Sequence, residues 1–139
     1  MIKNINHIAI IVPELESALE FWQGALGLSL ARTESVPSEG VDVAFLPVGA
    51  SNVELLKPTV ADSGVARFLE KRGPGIHHMC LEIDDIDAMM ARLREHNIQL
   101  INEEPITMPG HDGHGRKYAF VHPKSTGGVL VELYQLITG

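Results

Sequence analysis

"HHMCLEIDDIDAMMARLREHNIQLI", residues 77–101, aligns without a gap on "NHIAIIVPELESALEFWQGALGLSL", residues 6–30. His7 falls on His78, Ile8 on Met79, Ile10 on Leu81 and Val12 on Ile83. Each copy opens as a run of β-branched and apolar residues, which reads as a strand. Each then turns helical. The first helix starts near Pro13, a favoured early helical position, and the second near Asp84 or Asp85, both good N-caps. Leu15, Ala18, Leu19 and Trp22 follow the i, i+3, i+4, i+7 spacing of one helix face, and so do Ile86, Met89, Met90 and Leu93. The helices are expected to end near Gly24 to Gly27 and near Asn97.

Outward from this repeat, shorter extended runs follow each helix. They are Leu28–Glu34, Val41–Pro47 and Asn52–Lys57 in the first half, and Ile98–Asn102, Lys117–His122 and Gly128–Gln135 in the second. A helix over roughly Asp62 to Lys71 joins the halves, with Gly73 as its terminator. The expected fold class is α+β: βαβββ, a connecting helix, then βαβββ. Two such units, each too small to cover a sheet face alone, are expected to pack as one pseudo-symmetric domain over 1–139. Module one is about 1–58, the connecting helix about 60–73 and module two about 74–139.

Composition limits the function classes. The chain has 139 residues, 45% hydrophobic and 21% charged, an ordinary globular balance. A formal charge of −7 argues against a nucleic-acid binder, because phosphate neutralisation needs net local cation. The single cysteine, Cys80, excludes an internal disulfide framework and fits a reducing cytoplasm. The stretch "MIKNINHIAIIVPELE" has no secretory-signal pattern, and no run is long and apolar enough to span a membrane.

The repeat register also aligns polar residues. "NVELLKP" and "GVLVELYQL" close the two units, each with an acid before leucine in an apolar strand, Glu54 and Glu132. The chain thus presents His7, Glu54, His78 and Glu132, at spacings of 47 and 54 positions. By strand alternation Ile8, Ile10 and Val12 form an apolar face expected to pack on the helices. His7, Ala9 and Ile11 form the other, expected to be concave and open, and His78 lies likewise with Cys80 and Glu82. His77 points the other way, as a neighbour near the strand's start. A glutamate inside an apolar strand needs a partner, because an unpaired buried carboxylate costs several kcal/mol or shifts its pKa. A salt bridge or an edge position would satisfy one such glutamate. Four residues at matched positions suit one divalent ion of borderline hardness, Co, Mn, Ni, Fe or Zn. Four protein ligands on an octahedral ion leave two adjacent positions for a bidentate substrate.

The doubled βαβββ unit with His–Glu–His–Glu resembles the vicinal oxygen chelate superfamily, over essentially the whole chain. Within it, "VPSEGVDVAFLPVGASNVELLKP", "SGVARFLEKRGPGIHHMCLEIDDIDA" and "FVHPKSTGGVLVELYQL" are similar to segments of the methylmalonyl-CoA epimerase family. The resemblance implies an open, curved mixed sheet, a partial barrel with helices outside. It implies interconversion of (R)- and (S)-methylmalonyl-CoA through a metal-stabilised enolate, with cobalt the leading metal. His7, Glu54, His78 and Glu132 become the metal ligands. Glu132 is expected to serve also as base, and Glu54 to ligate first and do acid/base work second. A homodimer and a cytoplasmic location are further expectations from the family. The chain departs from part of that family at Val43, where some members carry a glutamate proposed as second base; the adjacent Asp42 points the other way and is expected to face solvent. Lys117 is a weaker alternative for the second acid or base. A coenzyme A thioester brings several negative charges to an acidic protein, so a local basic patch is required. Arg116, Lys117 and Lys124, around the glycine-rich "PGHDGHGRK", are the candidates for substrate binding; His111 and His114 of that loop, a possible lid, are the less favoured metal ligands. Cys80 is expected to be a packed thiol. Two rival readings share the scaffold: a glyoxalase I-type isomerase of glutathione hemithioacetals, and a metal-free small-molecule-binding protein.

Overall fold

A computed structural model describes residues 1–109 and 115–137. It contains the expected βαβββ, helix, βαβββ order, so the fold class is α+β. The first copy holds β1 (Ile2–Ile11), α1 (Leu15–Leu19) continuing as a π-helical stretch (Glu20–Ala25), β2 (Arg32–Val36), β3 (Val41–Val48) and β4 (Ser51–Pro58). The connecting helix α2 is Gly64–Arg72. The second copy holds β5 (Gly75–Ile83), α3 (Ile86–Glu95), β6 (Ile106–Met108), β7 (Gly115–Val121) and β8 (Leu130–Ile137), with a short 3₁₀ turn at Pro123–Ser125. Local chemistry explains the helix limits. Ser63 and Asp85 cap α2 and α3 by accepting from Ala66 N–H and Ala88 N–H, each at 3.0 Å. Gly73 ends α2 at φ 77° and Asn97 follows α3 at φ 59°, the left-handed region that stops a helix. Among the described residues no helix is long and apolar enough to cross a membrane.

The chain divides into two compact units that cut across the sequence repeat: residues 7–77, and residues 1–6 with 78–139. The strand β1 is split between them. In residues 7–77 the strand order is β2–β3–β4 and then the second half of β1. β1 runs parallel to β4, with His7 opposite Asn52, Ala9 opposite Glu54 and Ile11 opposite Leu56. β3 runs antiparallel to both β4 and β2, with Phe45 opposite Glu54 on one side and Arg32 on the other. One face buries Val12, Ala44, Leu46 and Leu55 beneath Leu15, Leu19 and Trp22 of the first helix. The other buries Ala9, Ile11, Val41, Val43 and Leu56 beneath Val65, Phe68 and Leu69 of α2. The His7 face, expected to be open, is therefore covered along part of its length. Its far end is apolar and takes the connecting helix as a cover, which leaves the end bearing His7 and Glu54.

In the second unit the first half of β1 is followed by β5–β8–β7–β6. Asp84 N–H donates to the Met1 carbonyl at 3.2 Å, and Lys3 Nζ lies 3.7 Å from Glu82 Oε2, so β1 begins alongside the end of β5. β5 runs parallel to β8, with His78 opposite Leu130, Cys80 opposite Glu132 and Glu82 opposite Tyr134. β7 is antiparallel to β8, with Phe120 opposite Glu132 and Tyr118 opposite Tyr134. The helix-facing core is Ile83, Ile86, Met90, Ala119, Val121 and Leu133.

Two expected strands are corrected, for one physical reason. The first does not begin at Leu28 but at Arg32. Ile98–Asn102 is not a strand; it makes an isolated bridge, Leu100 with Val121, and the ladder begins at Ile106. Leu28 and Leu30 pack under the first helix, and Ile98 and Leu100 under α3. After each helix the apolar residues close the core first, and the chain joins the sheet only afterwards.

Candidate functional site

The register places Glu54 and Glu132 in equivalent surroundings. Each lies on a strand between a small residue, Ala9 or Cys80, and a phenylalanine, Phe45 or Phe120. Each histidine precedes the small residue by two positions, and alternation sets it on the same face. The result is one imidazole–carboxylate pair in each unit. His7 Nδ1 lies 3.1 Å from Glu54 Oε2, and His78 Nε2 lies 3.2 Å from Glu132 Oε1. The side chains of His7, Glu54, His78 and Glu132 are only 11%, 16%, 12% and 14% exposed. The four sequence-predicted ligands are thus brought together two by two.

Both separations fit a metal's donor set. Imidazole nitrogen and carboxylate oxygen bind a divalent transition ion at about 2.0–2.2 Å. Two such donors in neighbouring coordination positions then stand roughly 3.0–3.4 Å apart, for octahedral or tetrahedral angles. The same spacing serves a hydrogen bond while no ion is bound, which keeps each nearly buried carboxylate paired.

Aromatic rings and polar groups surround the pairs. Phe120 meets the His78 ring edge-on at 6.2 Å between centroids, and Tyr118 meets Phe120 at 6.0 Å. Tyr134 shares the Glu132 face; burial pushes its phenol pKa up, while the Arg116 charge opposes that rise. Glu82 is held by Lys3 and by Asn6 Nδ2 at 3.5 Å. Cys80 is fully buried, as a packed thiol should be. His77 packs edge-on against Phe68 at 5.2 Å, in keeping with its role as a neighbour.

The predicted substrate-binding cations separate by strand parity. Arg116 alternates with Tyr118 and Phe120 onto the Glu132 face, where its guanidinium contacts Met108 Sδ at 3.5 Å. Lys117 alternates with Ala119 and Val121 onto the helix face, and its Nζ lies 3.4 Å from Asp87 Oδ2 at the start of α3. Lys124 is exposed in the turn before β8, where its N–H donates to His122 Nδ1 at 3.0 Å. His111 and His114, and with them most of the suggested lid, lie outside the described residues. Val43 is 4% exposed in the core beneath α2, whereas Asp42 is on the opposite face, partly exposed, with its carboxylate accepting from the Ser35 hydroxyl.

Sequence reasoning missed two features. Phe45 and Phe120 precede the glutamates by 9 and 12 residues, a matched aromatic that the repeat could have shown. Arg32 lies with its guanidinium 4.0 Å from the Phe45 ring centroid, in the same cross-strand row as Glu54. No local motif marks it.

Comparison with known proteins gives the family and the fold relatives of the chain. Residues 6–120 match the family model described as the Glyoxalase/Bleomycin resistance protein/Dioxygenase superfamily. The chain is 41% identical over 132 residues to the mitochondrial methylmalonyl-CoA epimerase of Homo sapiens, covering 94% of this chain and 73% of that protein. It is 39% identical over 137 residues to the ethylmalonyl-CoA/methylmalonyl-CoA epimerase of Cereibacter sphaeroides, covering 98% and 100%. A solved structure of a Streptomyces coelicolor methylmalonyl-CoA epimerase variant, in complex with 2-nitronate-propionyl-CoA, superposes with a TM-score of 0.83 at 34% identity, covering 97% and 98%.

Proposed function

The chain belongs to the glyoxalase/bleomycin resistance protein/dioxygenase superfamily, and on that premise we propose that it interconverts the (R) and (S) forms of methylmalonyl-CoA by moving the proton α to the thioester. The observation that carries this reading is the imidazole–carboxylate pair repeated in both units, at 3.1 and 3.2 Å, in a chain 41% identical to a methylmalonyl-CoA epimerase. His7, Glu54, His78 and Glu132 are the proposed ligands of a divalent ion, with cobalt first among Co, Zn, Mn, Ni and Fe. Such an ion supplies positive charge to the oxygen that becomes anionic as the α proton leaves.

The remaining chemistry falls to side chains. Inversion requires proton loss on one face of the α carbon and return on the other. Glu132 is assigned as the base and Glu54 as its counterpart, since each is a nearly buried carboxylate in the same position of its copy. The histidines orient them, and Phe45 and Phe120 beside them keep water away from the carboxylates. Arg116 and Lys124 are assigned to the anionic groups of the thioester. Lys117 is not, because it is turned to Asp87 on the helix face. The enzyme is proposed to act in the cytoplasm as a homodimer.

The test combines metal analysis with isotope exchange. The purified protein should carry one divalent ion per chain and wash deuterium from solvent into the α position of methylmalonyl-CoA. Glu132→Gln should abolish exchange. Exchange into a glutathione hemithioacetal but not into methylmalonyl-CoA would move the assignment to a glyoxalase-type isomerase. Turnover without bound metal, or full turnover in Glu132→Gln, would overturn the site assignment.

A further inference from the structure

We propose that Arg32 is an anion-binding residue that fixes which end of the substrate faces Glu54; this rests on the acyl-CoA reading above. Arg32, Phe45 and Glu54 are successive cross-strand neighbours on β2, β3 and β4, so their side chains share one face in one row. The guanidinium lies 4.0 Å from the Phe45 ring centroid, and its Nε donates to Glu34 Oε1 at 2.8 Å. Stacking and the Nε bond hold the group at two points, and neither contact uses a terminal nitrogen. A planar fork held in this way suits two-point recognition of a carboxylate or phosphate. The side chain is 57% exposed, so an incoming anion can reach it.

The rest of the unit sharpens the assignment. Its strands carry two basic residues, Arg32 and Lys57. Lys57 alternates to the opposite face, where it lies 3.6 Å from Glu14. The Glu54 face thus has Arg32 as its cation against the carboxylates of Glu34 and Glu54. Among the described residues of the second copy, no arginine or lysine stands directly across from Phe120. The place beside Phe120 is taken by Asn102, whose Oδ1 accepts from Phe120 N–H at 2.9 Å. The two copies share an aromatic–carboxylate row, and in the first that row continues to Arg32.

Two parts of an acyl-CoA could supply the anion: the acyl carboxylate or the phosphates. Calorimetric binding of three ligands separates them: methylmalonyl-CoA, propionyl-CoA (phosphates, no free carboxylate) and methylmalonyl-pantetheine (carboxylate, no phosphates). Arg32→Gln is expected to weaken methylmalonyl-CoA by about tenfold, with partial recovery in Arg32→Lys and unchanged metal content and melting temperature. A matching loss with propionyl-CoA alone assigns the phosphates; a matching loss with methylmalonyl-pantetheine alone assigns the carboxylate. Binding of all three within twofold of the native protein would overturn the proposal and reduce Arg32 to an edge-strand ion pair. Failure of the native protein to bind any of them would overturn the acyl-CoA reading instead.

Discussion

Substituting Val43 by glutamate tests whether this position belongs to the core or to the site. Val43 is 4% exposed and sits among Ala9, Ile11, Val41 and Leu56 under Phe68 and Leu69. A glutamate there adds volume, at about 1–3 kcal/mol, and introduces a carboxylate with no partner. If burial lifts its pKa from about 4.3 to about 7, ionisation costs about 4 kcal/mol at pH 8. The sum is about 5–7 kcal/mol, a large share of the 5–15 kcal/mol that ordinarily holds a domain folded. The pH dependence has a definite sign. A carboxyl whose folded pKa is raised destabilises above its unfolded value, and the penalty shrinks as pH falls toward that value. At pH 5 roughly 1 kcal/mol of the ionic part remains. Urea unfolding of the native protein, Val43→Glu and Val43→Gln at pH 8 and pH 5 measures this directly. The glutamate variant should recover about 3 kcal/mol relative to the native protein on acidification, and the glutamine variant should not. A glutamate variant less than about 1 kcal/mol below native at both pH values would mean that position 43 opens onto water, and that the α2 cover has been misjudged.

Further outcomes follow from particular contacts. Asp85→Ala removes the acceptor for Ala88 N–H at the start of α3 and should cost about 1 kcal/mol, a fall in melting temperature of about 3–4 °C; Asp85→Asn should restore most of it. Lys117→Ala should change the methylmalonyl-CoA KM by less than about twofold, because its exposed pairing with Asp87 is worth at most about 1 kcal/mol, whereas Arg116→Ala should raise KM several-fold. Stripping metal with a chelator should abolish exchange, and cobalt should restore it to the native protein but not to a His7→Ala, His78→Ala double variant; exchange in fully stripped protein would refute the ligand assignment.

The alignment of residues 6–30 with 77–101 made the repeated βαβββ order legible. Strand parity then sufficed to separate His78 from His77. Parity also holds the answer for Lys117: three residues before Phe120, it must face the other way. What the sequence concealed was the use of apolar residues after a helix. Leu28, Leu30, Ile98 and Leu100 have the look of strand residues, yet they pack under helices, where their apolar surface closes the core. The α2 cover was hidden for a similar reason. Ala9 and Ile11 belong to the His7 face by period, and only the tertiary position of Phe68 and Leu69 reveals that this face is apolar at one end. Arg32 was invisible because its significance lies in its cross-strand neighbours, which are far from it in sequence.

The division of β1 has a bearing on how this chain is made. Residues 2–6 belong with β5 and the strands that follow it, while residues 7–11 belong with β4. During synthesis the second part of the strand can find its partner as soon as the first copy has emerged. The leading part cannot, and its edge stays without a strand partner until β5 leaves the ribosome. Ile2 and Ile5, which remain partly exposed even in the finished fold, sit on that waiting edge. The nascent first half is therefore the stage at which edge-to-edge association between growing chains is most to be expected.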